Sequence, residues 1–446
     1  MQNRILVKNT SENVGQTVIM AGWVNNRRDQ GKMVFFDLRD MSGILQCVVL
    51  PNHIEALESA KDIRPEWVLK ITGVVNKRPE KNININIVGG DVELEVTEIE
   101  ILSATKELPF ANDAELNLDT LLDYRPLTLR RQREQAIFKV QNVILQSFRE
   151  FLNSENFTEF RAPAIVGDDA EGGTEVFKFD YFYDQKASLA TSPQLYKQMM
   201  VGVFERVYTI ANVFRAEKHA TTRHLNEYTS LDLEMGYIDG PVDVMKLETR
   251  LLRYVAESLK EKCSAEFKLL GADFPLIPES EVFPMMKLTE AQELISQATG
   301  VDCTKEPDLD PEHERWLCEY SKKEFNSDFI FITNYPRSKR PFYAMDDPEI
   351  EGRTKCYDLL FRGLELISGS QREHRYEQLV EKMKFKGLDP EKFSFYLQAF
   401  KYGLPPHGGL GMGLERLTAR FLNIPNIKEA TLFPRDINRI DKRLSE

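Results

Sequence analysis

Cysteine is scarce and scattered. The five residues at 47, 263, 303, 318 and 356 are odd in number and include no Cys-x-x-Cys pair. That excludes a disulfide framework or a paired-cysteine zinc site, and the expectation is free thiols in a reducing compartment. No apolar run approaches the ~20 residues that cross a bilayer; the longest are of the size of Val201-Gly-Val-Phe. The opening Met1-Gln-Asn-Arg-Ile lacks a signal-type apolar stretch, so a cytoplasmic protein without a membrane partner is expected. Gly-x4-Gly-Lys-Ser/Thr is absent, and Gly409-Leu-Gly411-Met-Gly413-Leu breaks the dinucleotide fingerprint at its last glycine. Positive charge is in deficit: 58 Lys and Arg against 70 Asp and Glu give −12, so a nucleic-acid partner must meet a local basic patch. Repeats and low-complexity tracts are also missing.

What remains is an ordinary globular composition, 42 % hydrophobic, 29 % charged and 10 % aromatic. At about 150 residues per domain, 446 residues suggest three domain-equivalents or one large domain with a small one. The first hundred residues alternate apolar and polar, as at Ile83, Ile85, Ile87, then Val92, Leu94, Val96, then Ile99, Ile101. With Thr17–Val24, Met33–Leu38 and Ile44–Leu50, and one short helix at His53–Asp62, they predict a small closed barrel of the oligonucleotide-binding kind over 1–105. Residues 106–130 have two prolines and little periodicity, and are expected to be a hinge. From Gln132 the period becomes helical (Ile137, Val140, Ile144, Phe148, Phe151), and a second such helix runs through Val242–Leu259. Strand-like runs at Arg206–Ala211, Leu231–Tyr237 and Phe329–Thr333 make 131–446 a mixed domain, and the whole chain α+β.

Four segments carry chemistry. Val213-Phe-Arg215-Ala-Glu217 is followed by Thr221-Thr-Arg223-His224-Leu-Asn-Glu227-Tyr228 and by Leu231-Asp232-Leu-Glu234. Read as a hairpin, it puts Arg215 and Glu217 on one strand face with a basic loop and a second acidic pair, a place to hold an anion and a base together. Far downstream, Pro405-Pro-His407-Gly-Gly409-Leu-Gly411-Met-Gly413-Leu-Glu415-Arg416 alternates glycines that let a ligand approach the backbone, then begins a helix. Arg416 at that helix start suits a phosphate.

These segments resemble motifs 2 and 3 of the class II aminoacyl-tRNA synthetases, and Phe151–Val166 with Pro163 resembles their dimer-forming motif 1. The class I signatures are missing, the nearest run being Lys382-Met-Lys-Phe-Lys. A leading barrel is a feature of the aspartate, asparagine and lysine subgroup. Within it, Thr191-Ser-Pro-Gln194-Leu-Tyr-Lys197-Gln, Glu171-Gly-Gly-Thr-Glu and Asp358-x6-Glu365-x2-Ser368-Gly-Ser-Gln-Arg372 are similar to the aspartyl enzymes. The barrel, with Gly22-Trp23-Val-Asn-Asn-Arg-Arg28-Asp-x-Gly31, resembles the bacterial version. The catalytic part resembles the archaeal and eukaryotic version and has no room for the bacterial insertion between motifs 2 and 3.

The resemblance implies a class II fold, an antiparallel sheet flanked by helices, using ATP and Mg²⁺. It implies that Arg215 and Arg416 are catalytic, gripping the α- and γ-phosphates, with Arg223 and His224 near the outgoing pyrophosphate. Glu217 would accept from the adenine amino group, Tyr228 would stack on the base, and Gly413 and Glu365 complete the ATP site. Asp358 and Glu365 would ligate Mg²⁺, which prefers hard oxygen ligands. For aspartate, Lys197 and Arg372 would take the side-chain carboxylate beside Ser368, and Gln194, Asp232 and Glu171 the α-ammonium, Glu171 sitting on a glycine-hinged lid with Asp168 and Asp169 before it. An asparagine amide would leave those cations unpaired, at about 3–5 kcal/mol for a broken buried pair. In the barrel, Phe35 would stack on the middle anticodon base, Gln46 would hydrogen-bond it, and Arg28, Arg78 and Glu93 would read its neighbours. Gln30 and Lys81 occupy loops that set acceptor breadth; Lys81 resembles the type strict for tRNA(Asp), Gln30 neither type. The expectation is an aspartate–tRNA ligase, a homodimer acting on L-aspartate and tRNA(Asp), with strict charging favoured and tRNA(Asn) as a further acceptor to be tested. The alternatives are an asparaginyl enzyme and a catalytically silent tRNA-binding paralogue.

Overall fold

The computed structural model describes residues 3–84, 87–167, 175–219 and 221–441. The chain divides into two compact units between Leu116 and Asn117.

In the first unit, strands β1 (Thr17–Gln30), β2 (Met33–Arg39), β3 (Ile44–Val49), β4 (Val68–Lys77) and β5 (Val92–Ser103) close into a barrel in the order β1-β2-β3-β5-β4. Period-2 alternation decides which side chains enter it: Val34, Phe36 and Leu38 of β2 are buried with Leu45, Cys47, Leu94 and Val96, so Phe35 and Asp37 take the outer face. The helix Ile54–Asp62 seats Ala56 and Ala60 against this core. Of the stretch expected as a strand through Ile83 and Ile87, the described residues are in none. Glu80–Asn82 is a 3-10 turn, Ile83, Ile87 and Val88 are exposed, and Ile85 lies outside the described residues. Alternation alone cannot make a strand where no neighbour supplies a hydrogen-bonding edge.

The stretch expected as a hinge is shared between the units, and its second half carries two short helices, Leu118–Asp123 and Arg125–Thr128. Buried Arg125 donates to the carbonyls of Glu429, Thr431 and Leu432, tying the start of the second unit to its end.

The second unit is built on an eight-stranded sheet. Its members are β6 (Thr158–Glu159), β10 (Arg206–Phe214), β11 (Glu227–Gly236), β12 (Met285–Lys287), β13 (Phe329–Thr333), β14 (Cys356–Phe361), β15 (Leu364–Gln371) and β16 (His407–Gly413). A small sheet of β7 (Ile165–Val166), β8 (Lys178–Asp180) and β9 (Lys186–Leu189) lies apart from it in order β7-β9-β8. The large sheet runs β12-β13-β14-β15-β16-β11-β10-β6, antiparallel through its centre. The amphipathic helices Gln132–Ser154 and Pro241–Lys262 bury their apolar faces in one core with β11, β14, β15 and β16. The neighbouring strands β10, β11 and β16 hold parts of the motif-bearing segments of the sequence. All five cysteines are buried and unpaired. Among the described residues no helix is long and apolar enough to cross a membrane.

Candidate active site

Strand β16 places glycines at 408, 409, 411 and 413, where most strands carry side chains. Gly411 of β16 is paired with Asp232 of β11 on one side and Ser368 of β15 on the other, and Gly409 is likewise flanked by Glu234 and Ser370. A β-carbon on Gly409 would lie 2.1 Å from the Leu233 carbonyl oxygen and 2.3 Å from Glu234 Oε2, so only glycine fits there. The bare strand becomes the floor of a cavity of about 250 Å³, walled by side chains of β11 and β15.

One end of this cavity is a buried ionic cluster. On the helix Gln194–Phe204, positions 194, 197, 198 and 201 share the inward face, which carries Lys197 to 1 % exposure rather than to the surface where lysines usually lie. Lys197 Nζ donates to Asp232 Oδ2 at 2.7 Å and to the Leu410 carbonyl at 2.8 Å, and lies 3.7 Å from Glu234 Oε2. Arg372 donates from Nε and Nη2 to the two oxygens of Glu234 at 2.8 and 3.1 Å, and from Nη1 to Ser370 Oγ at 2.7 Å. Burial alone would raise Glu234, but Arg372 and Lys197 outweigh it and hold the carboxyl below its usual range. Ser230 Oγ hydrogen-bonds the other oxygen of Asp232. The two cations are thus already balanced by two anions, and Glu234 is the member that sequence reading left unassigned, although it is visible as the second half of an acidic pair. Gln194 stands at the edge of the cluster, its Nε2 donating to Gln198 Oε1 at 3.0 Å. Glu171, Asp168 and Asp169 lie outside the described residues.

The other end is richer in arginine. Arg215 and Glu217 are not on a strand: β10 ends at Phe214, and the two follow it in a loop braced by Asn226 Nδ2, which donates to both their carbonyls. Their side chains approach loosely, 3.9 Å, and the Arg215 guanidinium lies 5.6 Å from the Tyr228 ring centroid. His224 Nε2 is 3.8 Å from Glu217, and Arg223 is 3.6 Å from Glu314. Burial lowers His224 against the pull of Glu217. Arg416 occupies the first turn of the helix Leu414–Phe421, directly after Gly413, and donates to the Glu365 carbonyl at 2.9 Å. Arg215, Glu217, Arg223, His224, Tyr228, Glu365, Gly413 and Arg416 all line the cavity, as do Gln194, Lys197, Asp232, Ser368 and Arg372.

Asp358 and Glu365 sit on the adjacent strands β14 and β15, joined by the tight Arg362-Gly363 turn, where both residues have positive φ. Burial and the charge of Asp358 together push Glu365 up to about 7. Asp358 is buried and gripped by both terminal nitrogens of Arg340, a cavity-lining residue that sequence reading missed. Its only signal was the basic run Arg337-Ser-Lys-Arg340, which has no periodicity to set it apart from a solvated loop.

In the barrel unit, the five expected base-reading residues form one contiguous patch. Arg28 and Arg78 donate to Gln46 Oε1 at 2.7 and 3.1 Å, and Gln46 Nε2 donates to Glu93 Oε2 at 2.8 Å. The Arg28 guanidinium is 5.7 Å from the Phe35 ring centroid. Asp37, paired across the strands with Gln46, joins the patch; burial raises its carboxyl against the pull of Arg28 and Arg78. Gln30 ends β1 and Lys81 lies in the 3-10 turn, both exposed.

Residues 117–437 match the family described as tRNA synthetases class II (D, K and N), and residues 18–102 match the OB-fold nucleic acid binding domain. The chain belongs to the class II tRNA synthetases of the D, K and N group. This synthetase is 45 % identical to the aspartate–tRNA(Asp/Asn) ligase of Thermus thermophilus, over 98 % of its own length and 99 % of that protein's. It is 40 % identical to the aspartate–tRNA(Asp) ligase of Pyrococcus abyssi, over 97 % of both chains. Its fold superposes on the asparaginyl-tRNA synthetase of Pyrococcus horikoshii complexed with asparaginyl-adenylate with a TM-score of 0.90 at 33 % identity, covering 99 % of this chain and all of that one. The fold is therefore shared across amino-acid specificities, and the choice between aspartate and asparagine falls to individual side chains.

Proposed function

We propose that this synthetase is an ATP- and Mg²⁺-dependent aspartate–tRNA ligase. The observation that carries the substrate is Lys197, buried at the cavity wall beside Arg372. Asp232 and Glu234 already neutralise the pair, so selection rests on donor placement rather than on bare positive charge. The ammonium has three protons and two hydrogen-bonded protein partners, and the guanidinium uses three of its five N–H groups. Both cations line the cavity and keep N–H donors that these bonds do not use. A carboxylate accepts from them through either oxygen; an amide nitrogen would meet them donor to donor, leaving a buried group unpaired. The curated relatives above, named as aspartate ligases, support the same reading.

In the first step an oxygen of the aspartate α-carboxylate attacks the α-phosphorus of ATP, and pyrophosphate leaves. In the second the terminal ribose hydroxyl of tRNA attacks the adenylate carbonyl, releasing AMP. Arg215 grips the α-phosphate and Arg416 the γ-phosphate, Arg223 and His224 accompany the pyrophosphate, Glu217 accepts from the adenine amino group and Tyr228 stacks on the base. Gln194, Asp232 and Glu171 receive the α-ammonium. The chain contributes position and charge, not a nucleophile. Asp358 and Glu365 fit a divalent cation: two hard carboxylates on paired strands, one of them raised by burial and by the other's charge, make a site that gains from added positive charge. Mg²⁺ there would screen the phosphate charge.

The barrel patch reads the anticodon, Phe35 stacking on the middle base, and the enzyme acts as a cytoplasmic homodimer through Phe151–Val166. tRNA(Asp) is the acceptor; the double specificity in the name of the Thermus relative favours tRNA(Asn) as a second one, against the strict-type Lys81. Pyrophosphate exchange with each amino acid tests the assignment: exchange supported by aspartate is expected, and dependence on asparagine alone overturns it. tRNA binding without adenylate formation would instead establish a silent paralogue. Aminoacylation of two transcripts differing at the third anticodon position then settles acceptor breadth.

A further inference from the structure

Arg340 follows the 3-10 turn Arg337–Lys339 and reaches back to β14 and β15. Its Nη1 donates to Asp358 Oδ1 at 3.1 Å and to Ser368 Oγ at 3.2 Å, and its Nη2 to Asp358 Oδ2. The pair is almost sealed, with side-chain exposures of 13 % and 3 %. The guanidinium also lies 3.7 Å from the centroid of the buried Tyr335 ring, and its Nε is buried without a hydrogen-bond partner. Arg340, Ser368 and Glu365 border one cavity.

We propose that Arg340 is the resident counter-ion of the divalent-cation site, holding Asp358 in place before substrates arrive and releasing it when the metal enters with the triphosphate. The inference rests on the reading of Asp358 and Glu365 as metal ligands. A fork-to-fork pair uses both carboxylate oxygens in their plane. A second cation on those oxygens would meet the guanidinium at short range in a poorly screened site, so metal and Arg340 compete for Asp358. Without nucleotide, metal entry must break the buried pair and leave the guanidinium with Ser368 and Tyr335 alone. With nucleotide, the triphosphate brings anionic oxygens into the same cavity, and the displaced guanidinium donates to them. Metal and nucleotide thereby favour each other's binding, and the coupling is reciprocal.

The test uses the full-length protein and Mn²⁺ as the probe, counting free Mn²⁺ by electron paramagnetic resonance, with and without a non-hydrolysable ATP analogue and with no amino acid. The wild type is expected to bind Mn²⁺ weakly alone and about tenfold more tightly with the analogue, inside the typical range of coupling. In Arg340→Gln the nucleotide-free affinity should rise about tenfold and the effect of the analogue should shrink toward none. Unchanged or weaker nucleotide-free binding in a variant whose circular dichroism matches the wild type overturns the proposal. Should that variant not fold, Arg340→Lys, which cannot pair through two nitrogens, must show the same rise at smaller size, and no rise overturns it equally. A wild type that binds no Mn²⁺ even with the analogue overturns the cation-site reading itself, a result distinct from an unaltered Arg340 variant.

Discussion

On the proposed reading, Lys197 is a side chain with both a structural and a selective part. Its ammonium is held by Asp232 and the Leu410 carbonyl, and it faces the cavity with Arg372. Lys197→Met should lower aspartate-dependent pyrophosphate exchange by two to three and a half decades, the equivalent of about 3–5 kcal/mol for removing one member of a buried pair. The KM for ATP should stay near the wild-type value, because the arginine-rich end is untouched; an equal loss toward ATP would show a general collapse of the site. His407 is a second instructive residue. Its Nδ1 donates to the Pro405 carbonyl at 2.8 Å, which leaves Nε2 to accept from Gln198 at 3.0 Å. Burial drives it down to about 4. Between that value and the ordinary 6.5 the unfolded chain binds a proton that the folded one refuses, so unfolding free energy rises with pH across this window and falls as the pH drops. From pH 7 to pH 5 the loss should reach roughly 2 kcal/mol. Urea unfolding of the wild type and His407→Gln at both values checks it: the variant should lack that part of the slope.

At the scale of the element, β16 decides where the cavity can be. Its glycines are not interchangeable. Gly409→Ala would drive a β-carbon into a carbonyl oxygen at 2.1 Å and into the Glu234 carboxylate that pairs with Arg372. This variant should lose several kcal/mol, on the order of a severe core change, or fail to accumulate as folded protein. At Gly413 the nearest atoms, Arg416 Cβ and Tyr228 Cδ2, are 3.6 and 3.8 Å away, ordinary contact distances. Gly413→Ala should therefore melt within about 1 °C of the wild type, as expected for a change near zero in free energy, while raising the KM for ATP. Thermal melts and exchange kinetics on the two variants separate a packing glycine from one that lines the cavity.

For the molecule as a whole, the division into two units makes recognition and chemistry separable. Phe35 and its neighbours belong to the barrel, and every residue around the cavity belongs to the second unit. Phe35→Ala should cost about 1–3 kcal/mol of base stacking, lowering kcat/KM for tRNA by one to two decades, with pyrophosphate exchange unaltered. A parallel drop in exchange would refute this separation.

Much of this protein was legible in its sequence, because local forces act over short spacings. Alternation marked the strands of the barrel, a 3.6-residue period marked Gln132–Ser154 and Pro241–Lys262, and the ordered motifs named the residues that meet around one cavity. Where locality fails, so did the reading. Ile83 and Ile87 alternate without a partner strand, and Arg215 and Glu217 sit beyond the end of β10 because Asn226 turns the chain there. Which carboxylate answers which cation lay beyond any spacing rule: Arg372 and Glu234 are 138 residues apart and Arg340 and Asp358 are 18, and each pair is made by sheet register and loop packing. Charge balance inside a buried site is a property of three-dimensional neighbours, so only the folded chain could show that Lys197 and Arg372 arrive already matched.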